Sequence, residues 1–137
     1  MLRGFATVNY YADDLEAAAA WYTEVLGIEP YFRIPDGYVE FRVGDTQDEL
    51  GIVDGRYRPD AAAGPGGEII FWHVDDADAA LARLLELGAT LHQPVTDRGH
   101  GFRPASVVDP FGNILGIMEN PHYLEILGGG QQPAPRA

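Results

Sequence analysis

The chain has 137 residues and a formal charge of −12, from 9 basic and 21 acidic side chains. That balance argues against a nucleic-acid partner, which needs a basic footprint, and favours a cationic ligand by long-range attraction. The lack of cysteine excludes disulfides, thiolate catalysis and cysteine-ligated metal sites, and no run approaches the ~18 apolar residues of a membrane span.

A hydrophobic fraction of 46% is enough for a buried core in one domain. The opening MLRGFATVNYY has neither the apolar stretch nor the cleavage pattern of a secretory signal, so a cytoplasmic protein is expected. In chain order, Phe5 to Tyr11 reads as a strand. Asp13 and Asp14 can cap the alanine-rich helix Leu15 to Leu26, which Gly27 stops. Tyr31 to Ile34, Tyr38 to Val43 and Glu49 to Val53 read as three short strands. A Gly/Pro/Ala-rich joint covers 54–67.

The same order then returns. Glu68 to Val74 is a strand, Asp75 and Asp76 precede the helix Ala77 to Leu87, and Gly88 stops it. Thr90 to Pro94, Phe102 to Val108 and Ile114 to Met118 are three more strands. The capping Asp and the stopping Gly lie 13 positions apart in the first half and 12 in the second, and both halves end in Leu-Gly-Ile, at 50–52 and 115–117. This is a β-α-β-β-β module written twice, in an α+β chain. The first module spans 1–53, the second 68–127, and the tail 128–137 reads as disordered.

The stretch from Asp13 to Gly27, the Val74-Asp75-Asp76 step and the turn Asp109-Pro110-Phe111-Gly112-Asn113 resemble the vicinal oxygen chelate superfamily, the glyoxalase, bleomycin-resistance and extradiol dioxygenase group. The resemblance runs from about Phe5 to Asn120. It implies a cup-shaped mixed sheet from the two modules, with helices outside and a ligand cavity inside. Alternation then points Thr7, Asn9 and Tyr11 into the cavity, with Ile69, Phe71, His73, Ile114, Gly116 and Met118, while Val8, Tyr10, Ile70, Trp72 and Val74 face the helices.

Metal-using members of that group take two ligands per module. One stands about seven residues before the capping Asp; the other lies in the last strand, three residues after the turn Asn. Those positions fall here on Thr7, Ile69, Gly116 and its first-module twin Gly51. None supplies the His, Glu or Gln that divalent metals prefer there, so neither metal nor other cofactor is expected. The four histidines, at 73, 92, 100 and 122, show no HxxxH or HExxH spacing. A displaced site from His73 and Glu49 is the one alternative. Ser106 lies in a strand and in no Gly-x-Ser-x-Gly turn.

The reading is a metal-independent, small-molecule-binding protein of the bleomycin-resistance type, a homodimer that sequesters an aromatic natural product or antibiotic. Asn9, Tyr11, Phe32, Tyr38, Phe71, His73, Phe102, Arg103 and Met118 are the expected lining, with rings stacking on the ligand and Asn9, His73 and Arg103 orienting it. The rival is a metal-independent isomerase, lyase or cyclase with His73, His100 or Glu49 as acid–base group, Glu40 being a further inward carboxylate. A third reading is a filled cup serving as an interaction module.

Overall fold

A computed structural model of the protein describes Met1, Arg3 and residues 5–58, 64–66 and 68–129. It contains eight strands in two four-stranded mixed sheets, with three α-helices. The chain divides into two compact units, Met1–Gly66 with Pro110–Asn113, and Gly67–Asp109 with Ile114–Ala137. Each unit carries one four-stranded sheet, and the turn Pro110–Asn113 groups with the first unit.

The first unit runs β1 (Val8–Ala12), α1 (Leu15–Leu26), β2 (Phe32–Ile34), β3 (Tyr38–Val43), β4 (Asp48–Asp54) and a short 3-10 turn, Gly55–Tyr57. Its strand order is β1-β4-β3-β2, with β1 parallel to β4 and the other pairs antiparallel. α1 begins where the Asp14 carboxylate accepts the Ala17 N–H at 3.0 Å, and it ends at Gly27, whose φ of 69° is the left-handed value that glycine takes without strain. One sheet face carries Tyr10, Val39, Phe41, Leu50 and Ile52, all buried. Ala18 and Ala19 let α1 close on that face, and Tyr10 meets Tyr22 of the helix with ring centroids 5.9 Å apart. Each large apolar side chain so buried contributes about 1.5–3 kcal/mol.

The second unit repeats the plan with β5 (Ile70–His73), α2 (Ala77–Glu86), β6 (Thr90–Gln93), β7 (Arg103–Val108) and β8 (Ile114–Glu119), in the order β5-β8-β7-β6. Asp76 caps α2 through the Ala79 N–H at 3.0 Å, as Asp14 caps α1. Ala105, Val107, Leu115 and Ile117 are buried in this sheet, which α2 covers. A register shift between Leu91 and Gln93 bulges β6 and turns His92 onto Ser106, Nδ1 to Oγ 2.8 Å.

A third helix, α3 (Pro121–Gly129), stands where the sequence reading placed the end of the module and the start of a disordered tail. Asn120 caps it by accepting the His122 and Tyr123 N–H groups at 3.0 and 3.3 Å, and Pro121 occupies the first helical position. Residues 130–137 of the expected tail, and 59–63 and 67 of the expected linker, lie outside the described residues.

Trp72 lies on the α2 side of β5, as alternation required, yet its Nε1 is buried with no hydrogen-bond partner among the described residues. An orphaned donor costs about 1–3 kcal/mol. Trp72→Phe removes it along with some apolar area, so urea denaturation should find the variant within about 1 kcal/mol of the parent. A loss above about 3 kcal/mol, the usual cost of emptying an aromatic site, would show that the indole N–H is satisfied.

Candidate functional site

Residues paired across a ladder share a face. Two registered rows, Asn9–Gly51–Glu40–Phe32 and Tyr11–Val53–Tyr38–Ile34, together with the Glu49–Arg42 pair, therefore lie on one side of the first sheet. It is the side turned away from α1, because Tyr10, Val39 and Ile52 occupy the other. The structure brings together here four lining residues expected from sequence: Asn9, Tyr11, Phe32 and Tyr38. It also brings Glu40 and Glu49.

The centre of this face is a closed polar ring. The Tyr38 hydroxyl lies 3.2 Å from Glu40 Oε1 and 3.5 Å from Glu49 Oε2. Arg42 closes the other side, with Nε 3.3 Å from Glu40 Oε2 and Nη2 3.1 Å from Glu49 Oε1. Its guanidinium also sits under the Tyr31 ring, 5.5 Å from the centroid. Burial, and then the Glu49 and Glu40 charges, push the Tyr38 phenol up to about 12, so it stays a neutral donor at neutral pH. Arg42 is the member that sequence reasoning missed. Its signal was the alternation 38, 40, 42 along one strand.

Gly51 lies beneath this ring. A Cβ there would stand 2.5 Å from Asn9 Oδ1 and 2.6 Å from Tyr38 Cε1, so an added methyl would have to push those two side chains aside. Phe32 and Ile34 flank the ring on β2 with 48% and 51% of their surface exposed. Tyr11 lies under the Arg58 guanidinium at 5.2 Å. Its backbone is held by Asn113, whose amide accepts the Tyr11 N–H at 3.1 Å and donates to the Tyr11 carbonyl at 3.0 Å.

In the second unit, Phe71, Gly116 and Ser106 form one row and His73, Met118 and Pro104 the next, on the side away from α2. Phe71 and Ile69 pack over Gly116: a Cβ there would lie 2.7 Å from Phe71 Cδ1, 2.9 Å from Ile69 Cγ2 and 2.7 Å from the Ile70 carbonyl oxygen. Both strand glycines are thus covered by the module's own side chains.

His73 has the expected face but a different task. Nδ1 accepts the Asn120 N–H at 3.2 Å, which puts the proton on Nε2, and Nε2 donates to Asp75 Oδ1 at 3.3 Å. The ring stacks on Tyr123, centroids 4.7 Å apart. Both nitrogens are therefore engaged, Nδ1 at the cap of α3 and Nε2 at Asp75 ahead of α2. His100 is exposed, at φ 55° in a left-handed turn between Gly99 and Gly101. Phe102 meets His122 edge-on at 5.1 Å.

Arg103 corrects the sequence reading. It pairs with Glu119, one residue out of step with Pro104 and Met118, and so lies on the α2 side. Its guanidinium bonds Glu119 Oε2 at 2.7 Å and Asp78 Oδ2 of α2 at 2.8 Å, and the Asp78 bond chiefly holds it protonated. Glu119 in turn accepts the Ala77 N–H at 2.8 Å. Arg103 thereby ties the start of α2 to β7 and β8 instead of orienting a ligand.

Thr7, Gly51, Ile69 and Gly116, the positions at which the resemblance would place metal ligands, offer no imidazole or carboxylate, and the space above both glycines is taken. They do not fit a divalent metal. No group of three or more His, Asp or Glu among the described residues is arranged to hold one elsewhere. Among the described residues, no helix is long and apolar enough to cross a membrane.

Over residues 4–117 the chain matches the family model described as Glyoxalase/Bleomycin resistance protein/Dioxygenase superfamily. It is 30% identical over 118 residues to the anthracycline biosynthesis protein DnrV of Streptomyces peucetius, which covers 82% of this chain but only 40% of that relative. Among solved structures, a glyoxalase-related enzyme from Fulvimarina pelagi superposes with a TM-score of 0.69 at 26% identity, covering 88% of this chain and 90% of that one. A lactoylglutathione lyase from Agrobacterium tumefaciens superposes at 0.66 with 27% identity, covering 85% and 93%.

Proposed function

The chain belongs to the glyoxalase/bleomycin resistance protein/dioxygenase superfamily, and from that premise we propose that it binds and sequesters a small aromatic natural product without a metal, as a cytoplasmic homodimer. The observation that carries this reading is the amphipathic face of the first sheet, where exposed Phe32 and Ile34 adjoin the Tyr38–Glu40–Arg42–Glu49 ring. A flat organic molecule would cover the apolar part and hydrogen-bond the polar part.

The misfit of Thr7, Gly51, Ile69 and Gly116 to a metal supports the metal-free half of the proposal. The engagement of both His73 nitrogens, and of Glu49 by Arg42, supports binding over acid–base turnover. The Streptomyces relative, by its name a protein of anthracycline biosynthesis, supports an aromatic guest of that kind. This chain spans only 40% of that relative, so the relative's whole activity does not transfer with the fold.

The test is a titration of the purified protein with anthraquinone-type compounds, followed by mass spectrometry of the recovered ligand and metal analysis of the protein. Binding should be micromolar or tighter and survive EDTA, and the ligand should return unchanged. Phe32→Ala should weaken it about tenfold, equivalent to about 1.4 kcal/mol. Stoichiometric metal, or a transformed ligand, would refute the proposal.

A further inference from the structure

We infer that the guest carries a protonated amine on its aromatic frame, and that this amine docks against Glu40 and Glu49 while the rings lie over Phe32 and Ile34. The inference deepens the binding reading above and rests on it.

The polar ring is not electrically balanced. Arg42 is the one cation that ion pairs tie to Glu40 and Glu49 among the described residues, and it is shared between them. Tyr38 supplies a single neutral hydrogen to the same two carboxylates. One negative charge is left over, on side chains that are only 11% and 23% exposed. Covered charges are costly unless paired. Each carboxylate oxygen has one partner in the ring and keeps a free lone pair.

The Asn9 side-chain carbonyl oxygen beside the ring is a further acceptor. Asn9 Oδ1 receives the Thr7 hydroxyl at 3.3 Å and points into the space over Gly51. Arg42, the cation of the ring, is spent on two carboxylates and the Tyr31 ring. The surface thus selects a donor and repels a carboxylate or phosphate. Phe32 is in register with Glu40, and Ile34 with Tyr38, so apolar and acidic groups stand one strand apart, about 4.8 Å. A short aminoalkyl substituent on a planar ring spans that gap.

The experiment uses the full chain and three probes that differ at one end: 2-(aminomethyl)anthraquinone, 2-(hydroxymethyl)anthraquinone and anthraquinone-2-carboxylate. Affinities are measured by calorimetry at pH 7, and melting temperatures without ligand. The amine should bind at least tenfold more tightly than the carboxylate. Glu49→Gln should weaken the amine at least tenfold, weaken the alcohol by a clearly smaller factor, and raise the melting temperature of the free protein, because it removes the unpaired charge. Equal affinity for all three probes, or a preference for the carboxylate, overturns the inference and leaves the binding reading standing. A lower melting temperature for Glu49→Gln also overturns it, since the charge would then be a needed one. If no probe binds, both fall.

Discussion

Gly116→Ala should destabilise the protein by about 1–3 kcal/mol, the range for forcing an extra methyl into a packed interior. The new Cβ would stand 2.7 Å from the Ile70 carbonyl oxygen on the parallel neighbour strand β5, and 2.7 and 2.9 Å from Phe71 and Ile69. A carbonyl in a ladder cannot swing away without breaking its own pairing, so β5 and β8 must part. Gly51→Ala meets closer atoms, Asn9 Oδ1 at 2.5 Å and Tyr38 Cε1 at 2.6 Å, but these belong to side chains that can rotate. It should cost less stability than Gly116→Ala and should act instead on ligand binding, by displacing Tyr38 from Glu40 and Glu49. Urea denaturation of both variants decides the order. A Gly116→Ala protein as stable as the parent would mean that the glycine serves no packing purpose. The same contacts leave no room for a carboxylate at 116.

What was legible in the sequence was what is local. The capping Asp, the apolar period and the stopping Gly act within a few residues of one another, so α1 was bounded correctly and α2 to within a residue. Alternation correctly set the face of Asn9, Tyr10, Phe71, Trp72 and His73. It would have set Arg103 too, had the count been carried along β7 from Ser106, which shares a row with Gly116. α3 was announced by Asn120-Pro121, a cap followed by a first-turn proline, but its docking on His73 joins residues 47 apart and no local pattern reports it. The polar ring depends on the β3–β4 register, which brings Arg42 opposite Glu49. Sequence supplied the inward carboxylates, but the cation that ties them together came only with the pairing.

Asn113→Ala should cost a comparable amount, about 1–3 kcal/mol for two hydrogen bonds worth about 0.5–1.5 each, and its effect should appear far from the substitution. Read from sequence, Asn113 completes a turn. In the structure its amide accepts the Tyr11 N–H and donates to the Tyr11 carbonyl, at 3.1 and 3.0 Å, across 102 positions of chain. β1 is the edge of its sheet, with β4 on one side only. The Asn amide therefore acts as one residue of a missing neighbour strand and satisfies both backbone groups of Tyr11. Trp21 and Phe111, rings 6.3 Å apart edge to face, hold the turn beside α1. Removing the amide should leave the turn's own shape intact, because Gly112 at φ 93° sets it. Hydrogen exchange should then show faster exchange at Tyr11 with little change at residues 109–112. Asn113→Asp should not restore the parent's stability, because it keeps the acceptor for the N–H but sets a carboxylate oxygen against the Tyr11 carbonyl. If Tyr11 stayed as protected in Asn113→Ala as in the parent, the amide would not be what closes this edge.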